Sequence, residues 1–132
     1  MPIVIMERYN RKLIQNNPDT FFVFGDNLAR TGLGGQAKEA RGEPNAIGVV
    51  TKRKPSNTED SFFSDTREEM IAVAKDIRKI KDLLDLGYNV VFPYDGIGTG
   101  LAKLPEKSPK IFSYIEQIIE EFKITYGMRN TL

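Results

Sequence analysis

Two carboxylates, Asp26 and Asp95, each follow an apolar run and each stand at the head of a glycine cluster. The first stretch reads Phe21-Phe22-Val23-Phe24, then Gly25-Asp26-Asn27, then Arg30, Gly32, Gly34 and Gly35, then Gln36, Ala37 and on to Arg41. The second reads Val90-Val91-Phe92-Pro93, then Tyr94-Asp95-Gly96-Ile97-Gly98-Thr99-Gly100-Leu101-Ala102. Nine of the 11 glycines lie between Gly25 and Gly48 or between Gly96 and Gly100. Glycine lets a backbone come close to a ligand and adopt positive φ, and free N–H groups in such a loop attract an anion. A helix opening straight after the first loop would add its dipole. The expected chemistry is therefore the holding of a phosphate-like group on Gly34 to Ala37 and Gly98 to Leu101. Asp26, Asn27 and Asp95 are the polar side chains placed to hydrogen-bond the rest of such a ligand. If the ligand is turned over, Asp26 or Asp95 is the base that activates water, and the loops stabilise the developing charge. The plainer alternative, in which the glycines make tight turns and the aspartates cap them, stays open.

Histidine and cysteine are both absent. That removes imidazole acid-base chemistry, Ser-His and Cys-His nucleophiles, and the usual zinc ligand sets. No metal and no cofactor are expected. The Walker A pattern fails because no Gly-Lys-Ser/Thr follows the glycines, and Gly32-Leu33-Gly34-Gly35 lacks the third glycine of the dinucleotide fingerprint. The net charge of +1 argues against nucleic acid or a membrane surface as partner. Lys52-Arg53-Lys54 is a local basic cluster, either solvated or a phosphate contact. No apolar run approaches membrane-spanning length, and a cytoplasmic protein is expected.

The elements that must position these loops can be read in order. Pro2 to Met6 and Thr20 to Phe24 are strands, separated by a turn or two of helix over Asn10 to Asn17. Gly34 to Arg41 is a short helix closed by Gly42, and Ala46 to Thr51 is a strand. Phe62 and Phe63 plug the core or form a stacking platform. Thr66-Arg67-Glu68-Glu69 has capping-box spacing and opens a helix with Met70, Val73, Ala74, Ile77, Ile80 and Leu84 on one stripe. Asn89 to Pro93 is a strand. Ser108-Pro109 reads as an N-cap and N1 pair for a last helix that buries Ile111, Phe112, Ile115, Ile118, Ile119 and Phe122. Tyr126 to Leu132 reads as a tail. Strands alternate with helices, so residues 1–132 should form one α/β domain, a three-layer α/β/α sandwich on a mostly parallel or mixed sheet. Ligands sit outside the carboxyl ends of such strands, where both glycine loops begin.

Gly34-Gly35-Gln36-Ala37 with Ala40-Arg41-Gly42 resembles the Gly-Gly-Gly-Val loop and Ala-rich helix of macro domains, which bind ADP-ribose. Asp26-Asn27 resembles the asparagine-bearing strand end, V-N-A-A-N, that precedes that loop. Phe92-Pro93 with Gly98-Thr99-Gly100-Leu101-Ala102-Lys103-Leu104-Pro105 resembles the family's second phosphate loop, P-x-x-S-T-G-x-[YF]-G-[YF]-P. The order and spacing agree from about Thr20 to Phe122. The chain also resembles small phage and bacterial proteins that carry F-G-D-N … G-G-Q-A and D-G-x-G-T-G-L-A. The resemblance implies a macro-like fold, a small-molecule nucleotide ligand of the ADP-ribose type, and two loops that clasp its diphosphate. By the same analogy it implies a sponge for a signalling nucleotide, or a hydrolase of ADP-ribosyl groups or ADP-ribose phosphates. Gly98 stands where the family has serine, and Ala102 where it has the aromatic that packs on the distal ribose. Arg30, Gln36 and Arg41 are polar where the family is apolar or small.

Overall fold

Alternate residues along the apolar strands feed two separate cores, one on each face of a single sheet. The computed structural model describes residues 1–132. Strands β1 (Ile3–Met6), β2 (Thr20–Asn27), β3 (Ala46–Lys52), β4 (Asn89–Pro93) and β5 (Met128–Arg129) lie in the order β3-β2-β4-β1-β5, and every pair is parallel. The helices are α1 (Arg11–Asn16), α2 (Ala37–Ala40), α3 (Arg67–Asp85), α4 (Leu104–Lys107) and α5 (Pro109–Tyr126).

On one face Ile3, Val23, Val49, Val90 and Phe92 pack with Val73, Ile77 and Ile80 of α3 and with Ile111, Ile115 and Phe122 of α5. On the other face Val4, Phe22, Phe24 and Val91 pack with Tyr9, Ile14 of α1, and Ala37 and Ala40 of α2. This is the three-layer α/β/α sandwich expected from the alternation. The first core has 17 buried residues and the second 8. At about 1.5–3 kcal/mol for each fully buried aliphatic side chain, the α3/α5 face supplies most of the hydrophobic stabilisation. The other face can therefore be built from one-turn helices and loops. No helix is long and apolar enough to cross a membrane.

Two expectations are corrected. The helix over Gly34 to Arg41 is only the single turn Ala37–Ala40, so its dipole adds little to the loop that precedes it. The tail is not free either: Gly127 turns the chain at φ +84, its carbonyl accepts from the Ile3 N–H at 3.1 Å, and Met128 and Arg129 pair with Ile3 and Val4 as β5. Two residues of strand leave no periodic signal in a sequence.

The capping box at Thr66 and Glu69 forms as its spacing requires. Ser108, by contrast, makes no side-chain cap for α5. Asp65, far back in the chain, does that work. Its carboxylate accepts from Ser108 Oγ at 2.6 Å, from the Ile111 N–H at 3.0 Å and from the Lys110 N–H at 3.2 Å. Burial pushes this carboxyl up, but the three donors and the Lys110 charge outweigh it and hold the group below its ordinary value. A depressed carboxylate stabilises the fold above its unfolded pKa and loses that contribution as pH falls through the folded one. Asp65→Ala is expected to cost about 1–2 kcal/mol, the usual worth of an N-cap, and to flatten the acid limb of the stability profile. Urea melts of both proteins at neutral and acid pH check this; equal midpoints at neutral pH would refute it.

The chain leaves β2 to reach β3 on one side and leaves β4 to reach β5 on the other. The carboxyl ends of β2 and β4 are adjacent, since Thr20 pairs with Asn89 and Phe22 with Val91. Their junction is a topological switch point, where such sheets leave a crevice.

Candidate functional site

The crevice is a cavity of about 460 Å³. Four segments wall it: Gly25 to Asn27 at the end of β2, Thr31 to Ala37, Thr51 to Asn57 with gaps, and Pro93 with Gly96 to Ala102. Among the residues singled out from sequence, Gly25, Asp26, Asn27, Gly34, Gly35, Gln36, Ala37 and Arg41 line it. So do Gly96, Ile97, Gly98, Thr99, Gly100, Leu101 and Ala102. Arg30 and Asp95 do not. Asp95 is exposed, and its carbonyl accepts from Thr99 Oγ1 at 2.9 Å, which makes it a turn residue.

The two loops share one property. The N–H groups of Gly32 to Ala37 and of Ile97 to Ala102 donate to no group of the protein. Yet Ala37, Ile97 and Ala102 are buried residues, at 4%, 1% and 6% exposure. Buried backbone donors are almost always paired, so the unpaired N–H groups of these three residues mark places for acceptors, and the exposed, glycine-rich stretches beside them line the same cavity. Gly98 is held at φ +80, and a Cβ there would meet Leu104 Cδ2 at 2.8 Å and Thr51 Cγ2 at 3.2 Å. A side chain at this position has no room. Opposite, a Cβ on Gly34 would meet Leu101 Cδ1 at 2.9 Å, so the two loops touch across the cavity.

Asn27 contributes the one buried side-chain polar atom without a partner, its Oδ1. Its Nδ2 donates to the Thr31 carbonyl at 2.7 Å, which fixes which way round the amide sits. Asp26, beside it, is committed to the protein. One carboxylate oxygen accepts from Arg41 Nη2 and from the Asn27 N–H at 2.8 Å; the other accepts from Arg30 Nη1 at 3.2 Å. Arg30 also forks onto Asp76 of α3 at 2.9 and 3.1 Å, and Asp76 accepts the Val50 N–H at 2.9 Å. Arg41 ties the first loop down through the carbonyls of Gly32 at 2.7 Å and Thr31 at 3.0 Å. Gln36 donates to the Tyr9 carbonyl at 2.6 Å. Asp26 can lie over β3 only because residue 48 is glycine: a Cβ there would meet Asp26 Oδ2 at 2.6 Å.

Lys52 is the charge left over. It is 8% exposed, lines the cavity and forms no ion pair; its Nζ donates to the Ser56 carbonyl at 2.6 Å and lies 5.0 Å from the Phe62 ring centre. Burial, with the charge of Lys103, holds its ammonium below the ordinary 10.5. Of the basic cluster, only Lys52 reaches the site. Arg53 pairs with Glu69 at 2.7 Å and Lys54 with Asp60 at 3.0 Å. Phe63 belongs to the main core, and Phe62 is buried beneath Lys52.

Sequence reading passed over Thr31, Thr51, Pro55, Ser56 and Asn57, all of which line the cavity. Nothing in their types marks them. Asp76 left a better signal: it falls within the apolar stripe of α3, next to Ile77 and three residues after Val73, and an acid on a buried stripe needs a partner. No group of three acidic, histidine or cysteine side chains gathers to hold a metal ion.

A family model described as a family of unknown function (DUF7831) matches residues 4–118. No curated protein and no solved structure matches the chain.

Proposed function

Starting from the premise that the chain belongs to the DUF7831 family, we propose that it binds a nucleotide-derived small molecule of the ADP-ribose type. The diphosphate lies between the two glycine loops. The observation that carries this reading is the pair of unpaired N–H runs, Gly32 to Ala37 and Ile97 to Ala102, around one cavity. A diphosphate presents several acceptor oxygens and two negative charges. It would satisfy those donors and the unpaired ammonium of Lys52 together. Asn27 Oδ1 would accept from a ribose hydroxyl, and Leu33 and Leu101, both exposed at the cavity, would cover apolar ring faces. A cavity of about 460 Å³ lies in the ordinary range for small-molecule sites. The macro-domain likeness supports the same ligand class.

Holding is favoured over turnover. Asp26 is the only carboxylate lining the cavity, and both of its oxygens already accept from protein donors. Taking a proton would undo the pairing of Asp26 with Arg41 and Arg30, which anchors the first loop. A protein that holds such a ligand unchanged would act by sequestering a signalling nucleotide.

A thermal-shift panel tests the ligand class. ADP-ribose at a hundred times its Kd should stabilise by about 2.7 kcal/mol, since it binds the native state alone. Adenosine, lacking phosphate, should give little shift, and mass spectrometry should recover the nucleotide intact. Silence across all diphosphate nucleotides would end this reading; altered nucleotide would replace the binder with a hydrolase.

A further inference from the structure

From Leu28 to Gln36 no residue of the first glycine loop is buried, and neither Leu28 nor Leu33 joins a hydrophobic core. Polar ties hold the loop instead. The Leu28 N–H donates to the Lys52 carbonyl at 3.0 Å, and the Arg30 N–H to the Asn27 carbonyl at 3.0 Å. Arg41 donates to the Thr31 and Gly32 carbonyls, and Asn27 Nδ2 to the Thr31 carbonyl. A segment with few buried apolar contacts is the first to loosen, so these ties decide where its N–H groups point.

One tie leads away from the cavity. Arg30 does not line the cavity, and it holds φ +55, in the left-handed region. Such a conformation costs a long side chain strain and persists only where the surroundings fix it. The Arg30 guanidinium spans two elements. It donates to Asp26 at the end of β2 at 3.2 Å, and to both oxygens of Asp76 on α3 at 2.9 and 3.1 Å. Asp76 is 1% exposed and shares its helix face with Val73, Ile77 and Ile80. An apolar residue would complete that stripe, and a carboxylate buried there is costly unless paired. The Val50 N–H, which Asp76 accepts at 2.9 Å, needs an acceptor but no charge. Lys79 lies 3.6 Å from Asp76 and is exposed, so water already serves it. Arg30 is the group that uses the charge.

Resting on the nucleotide reading above, we infer that Asp76 is a positioning residue for the candidate site, acting through Arg30 on the first glycine loop. The contacts run from Asp76 to Arg30, to Asp26, to Arg41, and end on the Thr31 and Gly32 carbonyls. They root an otherwise unpacked loop in α3, whose apolar face belongs to the main core. The loop then keeps its donors turned toward those of Ile97 to Ala102 across the cavity. Asp76 itself lies outside the cavity and touches no ligand there.

Arg30→Gln and Asp76→Asn cut this chain of contacts at two places, and asparagine at 76 keeps an acceptor for the Val50 N–H. NMR order parameters of the free proteins give a readout that needs no ligand. Those of Thr31 to Gly35 should fall in either variant from about 0.85, the value of rigid backbone, toward about 0.6, while α3 and β3 stay rigid. A role in stability alone would not loosen the loop selectively. Calorimetric titration with ADP-ribose should show about tenfold weaker binding by each variant. The double variant should lose no more than either single one, since both remove the same link. Arg30→Gln alters a half-exposed side chain, so it carries the test even where Asp76→Asn does not fold. Unchanged loop order parameters in Arg30→Gln overturn the inference. So do additive losses in the double variant, or wild-type affinity in a loosened loop. If ADP-ribose and other diphosphate nucleotides fail to bind the wild type, the nucleotide reading falls, and the order parameters alone decide whether Asp76 positions the loop.

Discussion

Lys52→Met should make the free protein more stable and the liganded protein harder to form. Lys52 is a buried cation with no carboxylate partner. Methionine has nearly the same length, keeps the contact with Phe62, and brings no charge to desolvate. Replacing poorly compensated buried charge by apolar volume is commonly neutral or stabilising by about 1–4 kcal/mol. Here the lower half of that range applies, because the Ser56 carbonyl and the Phe62 ring already offset part of the cost. Affinity for a diphosphate nucleotide should fall by about 1.5–3 kcal/mol, roughly 10- to 150-fold, the worth of a charged hydrogen bond. The pH dependence gives an independent readout. Burial, with Lys103, lowers the Lys52 pKa in the folded state. Between that lowered value and the unfolded 10.5, the unfolded chain therefore binds more protons than the native one. Stability from this group rises with pH through that window, and the methionine variant should lack the rise. Denaturant melts across the alkaline range and ligand titrations at neutral pH settle the matter. A variant that loses stability and keeps its affinity would show Lys52 to be a structural residue.

Asp26→Asn should destabilise the protein by about 2–3 kcal/mol, whereas Asp95→Asn should change neither stability nor binding beyond about 0.5 kcal/mol. The contrast follows from placement. The Asp26 side chain is 4% exposed and joins two guanidinium groups, on Arg41 and Arg30. Breaking a fully buried pair costs about 3–5 kcal/mol. The figure is smaller here because the Arg30 and Arg41 side chains are 44% and 20% exposed, and Arg30 keeps Asp76. Asparagine matches the shape of aspartate but brings an NH₂ group against cations. The substitution therefore probes the anchoring of the first loop as much as any basicity. Asp95 is exposed and outside the cavity. Thermal melts of both variants, with intact nucleotide measured after incubation, distinguish the roles. Turnover by the wild type, lost by about 10²–10⁴-fold in Asp26→Asn, would make Asp26 a base after all. An Asp26→Asn protein as stable as the wild type would refute the anchoring role.

The residues that pack were the most legible. Phe21 to Phe24 and Val90 to Phe92 are apolar at every position, and that pattern means a strand covered on both faces. The stripe from Met70 to Leu84 and its capping box fixed α3 to the residue at its start. Loop residues were legible where glycine marks them, as at Gly34, Gly35, Gly98 and Gly100. The rest depended on distant partners. Asp26 looked like a free carboxylate because Arg30, Arg41 and the opening at Gly48 meet it only in the folded sheet. Asp95 has the same local setting in the sequence and a different fate, since the turn places it outside. Asp65 caps a helix that begins more than forty residues later, a relation no window along the chain contains.

The β2–β4 seam also sets the order of events during folding. Within β2–β3 the partners are near in sequence, Phe22 with Ala46, while the seam joins Thr20 to Asn89 across almost the whole middle of the chain. Closing a long loop costs entropy before its contacts return any, so parallel pairings of this kind form slowly and late. The first glycine loop belongs to the early half and the second to the late half. The cavity is therefore among the last features to exist, and a ligand that needs both loops binds only chains whose topology is complete. Such a ligand pulls the final folding step forward by mass action and leaves the earlier ones untouched.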